Sequence, residues 1–265
     1  ASRDLGAWFT ARVSLDYEDR SALVNNYNGS IFFKDSREFT DNLSTFEDHQ
    51  ALIFRASLRI KLGQKLVSFP DRTFKAGSDW PTIWLHYKKG IESIAGSDVA
   101  FDLLHAQINK RYSLGSKGDF SFNVHGGVFL NTPEFFIDNM HFRGNRTFVG
   151  YPSDYDRNFL LMPYYDFSTP GDFLQWHVQH DFNGFILSKI PLVRQLNWQL
   201  VAGHKYLLRD GTDHMEWHLG LDNVGFGIFR LLRIDAVWYR QFTDALPEGS
   251  NNSGFGIVTG LKFVI

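Results

Sequence analysis

The nine residues HMEWHLGLD, 214–222, alternate without a break. Met215, Trp217, Leu219 and Leu221 fall on one side, while His214, Glu216, His218 and Asp222 fall on the other. Side chains repeat every two residues only in a strand, so this stretch predicts a strand with one apolar and one polar face. Working outward, the same alternation recurs at 196–207 and 173–182 before it, and at 232–242 and 254–265 after it. It is also found near 7–17, 51–62, 81–90, 101–112 and 119–130, which makes about ten strands. The chain of 265 residues is read as one all-β domain, 1–265.

Aromatic residues make up 16% of the chain, 26 of them Phe, which suits strands better than helices. A net charge of −2 argues against nucleic acid as a partner. With no cysteine, a disulfide scaffold and a thiolate metal site are both excluded. No apolar run reaches the ~20 residues of a membrane helix. The first ten residues, ASRDLGAWFT, lack a hydrophobic signal core, which is expected of a mature chain or a fragment.

A soluble β-sandwich and a membrane β-barrel both alternate. What separates them is the content of the faces. The polar faces carry Arg, Lys, His, Gln and Glu at alternate positions, as a wet lumen would. The other faces carry large side chains, as lipid contact would. The expected lipid-facing set includes Trp176, Trp198, Leu200, Met215, Trp217, Leu219, Ile234, Trp238, Ile257 and Leu261. The expectation is therefore an antiparallel transmembrane β-barrel with an even number of strands. Short links at 115–118 and 224–227 contrast with longer ones at 25–47, 131–172 and 243–253, the length asymmetry of outer-membrane barrels.

The longest link contains HFRGN: His141, Phe142, Arg143, Gly144 and Asn145. This stretch resembles the Arg-Gly hallmark of the inward-folding loop in the BamA/TamA superfamily of outer-membrane assembly and translocation barrels. In that family five strands follow the loop, and five strand-like segments follow it here. HFRGN, HDFNGFILSKIPLVRQLNW (180–198) and LDNVGFGIFRLLRIDAVW (221–238) are more closely similar to an uncharacterised Bacteroidota family of outer-membrane barrels, whose members usually carry an N-terminal carboxypeptidase-regulatory-like domain. The resemblance covers about residues 100–265. It implies the C-terminal part of a sixteen-stranded barrel, or else a complete smaller one, with loop 131–172 folded inward. It further implies that Arg143 meets an acidic residue on the barrel wall. The family places that residue in an aromatic-x-Asp-x-Gly motif; the matching stretch LVAGHKY (200–206) keeps Gly203 but has Val201 at the aspartate position. Glu216 and Asp222 are then the candidate partners.

The expected function is insertion or export of outer-membrane or surface proteins in the bacterial outer membrane. The expected partners are the lipid bilayer, lipopolysaccharide, client outer-membrane proteins and other envelope subunits. Alternatives are a structural or transport barrel within an envelope complex and, more remotely, a lumenal hydrolase. No cofactor and no enzymatic activity are expected. None of the ten histidines has serine two residues on, as lipase barrels require. Asp213 and His214 are adjacent and face opposite ways. His214, Glu216 and His218 share a face and could hold a metal, but any wet face collects such residues, and the expected reading is a hydrated lumen ladder with no metal. NGS (28–30) and NNS (251–253) have the form of glycan acceptors, which bacterial loops carry without modification. In the closing strand, Gly254, Gly256 and Gly260 fall on the polar face and Phe263 on the apolar one. That glycine row predicts either a weak, openable seam or room for the folded-in loop.

Overall fold

The computed structural model describes residues 1–21, 47–144, 155–163, 165–227, 229–243 and 252–261. Thirteen strands follow in chain order: β1 (Ser2–Leu5), β2 (Phe9–Arg20), β3 (His49–Lys61), β4 (Leu66–Ser68), β5 (Thr73–Lys75), β6 (Thr82–Gly90), β7 (Phe101–Ser113), β8 (Asp119–Asn131), β9 (Phe173–Asp181), β10 (Gln199–Arg209), β11 (Thr212–Phe226), β12 (Phe229–Thr243) and β13 (Ser253–Leu261). Eleven form one antiparallel sheet in the order β1-β2-β3-β6-β7-β8-β9-β10-β11-β12-β13. Apart from β4 and β5, which make a separate hairpin inside the β3–β6 link, each strand pairs with its neighbours in sequence. No helix of the described residues is long and apolar enough to cross a membrane, which says nothing about strands.

Each of the ten segments expected from the alternation contains a strand of the sheet, with residues 262–265 of the last segment outside the described residues. The count in the main sheet is nevertheless eleven, not an even number, because β1 adds a four-residue strand against Phe9–Arg12 that is too short to show a period. In an antiparallel sheet of eleven, the first and last strands run the same way. Among the described residues no ladder joins β1 to β13: they form one open antiparallel sheet, without the closure expected of a barrel.

The register sorts the side chains into two faces. His204, Trp217, Trp238 and Phe255 form one transverse row across β10 to β13. Their face is exposed: Trp217 is 54% and Ile257 66% accessible. The opposite face carries Lys205, Glu216 and Asp235, at 1%, 0% and 0%. Large apolar side chains outside and charges inside invert the usual soluble arrangement. Of the set expected on the apolar face, only Trp198 lies outside a strand. It precedes β10, after Asn197 in the left-handed region (φ 55°), and its indole nitrogen is buried.

The direction of the strands places the links at two ends. The three longest links named from the sequence, β2–β3, β8–β9 and β12–β13, all leave from one end. The short turns at 115–118 and after β11 leave from the other. The sorting is incomplete. The tight β10–β11 turn sits at the long-loop end, and the β3–β6 and β9–β10 links make the other end longer than the sequence suggested.

Candidate functional site: the loop seated on the polar face

The described parts of the β8–β9 link lie against the polar face of the sheet. The first contact is Asp138, in a short 3-10 turn, Phe136–Asp138. It is 1% exposed and accepts two bonds from Arg20 of β2, at 2.9 and 3.2 Å, and one from Lys88 of β6 at 3.4 Å. Arg20 also holds Glu18 at 2.8 Å. His49 of β3 stacks on Phe135 with centroids 3.9 Å apart. A guanidinium fork matches a carboxylate in two places, which fixes geometry as well as charge.

The second contact is apolar. Phe142, Phe159, Met162 and Phe167 of the loop pack with Leu103, Phe173 and Leu207 of β7, β9 and β10. The third contact centres on Glu216. Its carboxylate accepts the backbone N–H groups of Leu160, Leu161 and Met162 at 2.6, 2.9 and 2.9 Å. His214 Nε2 lies 2.9 Å from the same carboxylate. Three successive backbone donors on one buried carboxylate satisfy groups that a loop over a sheet would otherwise leave unpaired.

A charged network flanks this cradle. Lys205 Nζ donates to the Tyr155 carbonyl. Arg233 lies over the Tyr155 ring at 3.9 Å and grips Asp235 through Nε and Nη2 at 2.7 and 2.9 Å. Its Nη2 also reaches Gln179 of β9 at 3.1 Å, across two intervening strands. Arg111 pairs with Asp181 and lies 3.6 Å from Asp156, which also accepts from Ser121 at 3.0 Å. Residues 155–162 thereby touch the polar face from β7 to β12, and Leu161 reaches β13 beside Gly256.

The structure assigns the expected site residues new jobs. Arg143 is exposed and makes no ion pair with a described residue. Its guanidinium does not reach Glu216, which is filled by backbone N–H groups, nor Asp222. Asp222 instead accepts the N–H of Asn223 at 2.7 Å, at an irregularity in the β11–β12 ladder. The expected arginine–carboxylate pair is therefore replaced by Arg20–Asp138 and by the Glu216 cradle. HFRGN works through its backbone: the Arg143 carbonyl accepts the Phe159 N–H at 2.8 Å, and a Cβ on Gly144 would sit 2.3 Å from the Met162 carbonyl oxygen. Glycine thus lets 141–144 lie directly beside 159–162. Phe142 is buried against Phe173 at 5.3 Å. His141 contacts Ser168 at 2.7 Å, and burial holds its pKa below the ordinary histidine value. Asn145 lies outside the described residues.

These placements separate the two halves of the motif. Gly144→Ala will lower stability by about 1–3 kcal/mol, since a backbone oxygen cannot yield as a side chain can. Arg143→Ala will stay within about 0.5 kcal/mol, as exposed substitutions do. Urea midpoints of the folded protein decide it; the reverse order would restore the guanidinium as the anchor.

In the closing strand, a Cβ on Gly254 would meet Tyr239 at 2.5 Å and one on Gly256 would meet Leu161 at 2.8 Å. These glycines make room for a wall ring and for the seated loop. Gly260 is buried opposite Arg233, and Phe263 lies outside the described residues. The NGS stretch and Asn251 of NNS also lie outside them. Among the described residues no group of three or more His, Cys, Asp or Glu has the arrangement to hold a metal. Glu216 and His214 contact the loop, through Leu160 to Met162 and through the Phe159 and Phe167 rings, whereas both ring nitrogens of His218 are buried with no hydrogen-bond partner.

Arg20, Asp138, Lys205, Arg233 and Asp235 were not singled out from the sequence. Their strand members were visible only as polar positions in an alternating run. Asp138 had no local signal at all.

Residues 1–221 match the model of the C-terminal domain of a family of unknown function, DUF5686. No curated protein and no solved structure matches the chain.

Proposed function

The chain belongs to the DUF5686 C-terminal domain family, and from that premise we propose that its sheet forms the wall of a transmembrane β-barrel in the bacterial outer membrane, serving insertion or export of outer-membrane or surface proteins. The observation that carries this reading is the inversion of the faces. One face presents Trp217, Leu219, Trp238, Phe255 and Ile257 outward, and the other buries its charges beneath a loop. In water that outer surface would be an unusually large exposed apolar area. In lipid it is the surface a barrel requires, with the polar face turned to the lumen.

Two features support the assembly type over a transport channel. The described loop residues contact the polar face from β7 to β13, so a passive pore along this face would have to displace them. Five strands, β9 to β13, follow the loop, the order found in the BamA/TamA barrels that HFRGN resembles. The role is read as non-enzymatic. A structural subunit of an envelope complex is the second reading, favoured by the fixed, hydrogen-bonded seating of the loop.

Folding the protein into vesicles of outer-membrane lipids tests both levels. A barrel will migrate differently on a gel before and after boiling, and its loop will resist protease. With a denatured client barrel added, the assembly reading expects faster folding of the client than in empty vesicles. Absence of a heat-dependent shift removes the barrel. A shift without any acceleration removes the assembly role.

A further inference from the structure

Where β10 turns into β11, a cleft of about 350 Å³ opens toward the ends of β12 and β13. That size falls in the usual range for ligand sites. Arg209 and Arg240 face into it, with Thr212, Gln241 and Asn252. Arg209 is held in place: its guanidinium packs over Phe167 at 5.4 Å, and Nη1 approaches the Ser168 carbonyl at 3.4 Å. Its Nε is buried with no hydrogen-bond partner. Arg240 lies over Phe242 at 4.9 Å and is exposed. Among the described residues no carboxylate comes within ion-pair distance of either guanidinium. The one acid of the lining, Asp213, is engaged elsewhere, accepting from the Tyr206 hydroxyl at 2.9 Å and from the Arg209 backbone N–H at 3.4 Å.

We propose that this cleft binds a phosphate group, carried by the headgroup of a phosphorylated lipid. Two guanidinium forks that pair with no carboxylate among the described residues suit a tetrahedral anion with several acceptor oxygens. The position selects the carrier. Arg240 stands on the apolar face two residues beyond Trp238, while Arg209 stands on the polar face. The cleft therefore lies at the rim where the two faces meet, at the end that bears the long loops. In a barrel that rim is level with headgroups, and an arginine there reaches them by extending along the surface. The choice of a lipid rests on the membrane reading, whereas the phosphate site does not.

The test uses the folded full chain in detergent and three probes: lipid A with its phosphates, the same lipid dephosphorylated, and inorganic phosphate. The wild type will bind phosphorylated lipid A at least about tenfold more tightly than the dephosphorylated form. Arg209→Gln and Arg240→Gln will each weaken it by about tenfold, the equivalent of one charge-assisted hydrogen bond. A heat-dependent gel shift checks that each variant folds. Arg240→Gln, whose side chain touches no loop residue among those described, keeps the test intact if Arg209→Gln loosens the loop. Equal binding of both lipids, or wild-type affinity in both variants, overturns the site. If inorganic phosphate binds as tightly as phosphorylated lipid A and displaces it, the site stands and the lipid carrier is overturned. If no gel shift is seen, the barrel reading has failed, and the inorganic phosphate arm still decides the cleft.

Discussion

Glu216→Ala will lower stability by about 3–5 kcal/mol and release residues 155–162 to protease. Glu216 is fully buried and holds the N–H groups of three successive loop residues together with His214. Truncation leaves those donors facing a cavity with no acceptor, and a buried donor without a partner costs about 1–3 kcal/mol. It also leaves Lys205, which faces Glu216 across the β10–β11 ladder, with one anion fewer, and removing one member of a buried charged pair is costly for the same reason. Glu216→Gln will fall between, because one carbonyl oxygen remains while the amide N–H₂ faces other donors. The measurement is the urea midpoint together with the rate of cleavage within the loop. If Glu216→Ala leaves both unchanged, the loop is held by its phenylalanines alone and the carboxylate cradle is incidental.

Leu219→Arg will cost about 2–4 kcal/mol in a bilayer, the penalty for arginine on the lipid face near the midplane. Leu219 is at the centre of β11 and is 47% exposed between Ala202 and Ala236. The matched control is Asn109→Arg, on the polar face of β7, where the amide nitrogen has no partner to lose among the described residues. It will change stability by less than about 1 kcal/mol. Gln179 is unsuitable as a control because it is buried between Arg233 and Asp181. A soluble protein predicts a different order: an arginine replacing an exposed leucine in water is nearly neutral. Equal tolerance at 219 and 109 would therefore remove the membrane reading.

Much of the fold is legible because alternation is a local property. Residues 214–222 state which side chains share a face before any partner strand is known, and the ladder from β10 to β13 keeps that assignment. The strands that escaped reading, β1, β4 and β5, have four residues or fewer, too short to display a period. The site was less legible. HFRGN marked the right loop, but its arginine was expected to act through charge, and the structure uses the carbonyl of Arg143 and the bare Cα of Gly144. Backbone contacts of this kind leave no trace in residue type. Gly203 shows the same limit. A resemblance marked it, but only the packing explains it, since a Cβ there would lie 2.3 Å from the His218 ring.

The sequence by itself determined the all-β class, the strand order's raw material and the two faces, because each follows from residue types at a spacing of two. Tertiary structure alone decided which carboxylate serves the loop. Glu216 and Asp222 share a face and a strand, and nothing in their neighbours ranks one above the other. Glu216 faces Leu160 to Met162, whereas Asp222 lies at the ladder irregularity and caps the N–H of Asn223. Likewise, Arg20 and Asp138 are 118 residues apart and meet only because the loop returns across the sheet. Local patterns specify what a residue can offer; the path of the chain decides which group is close enough to take it.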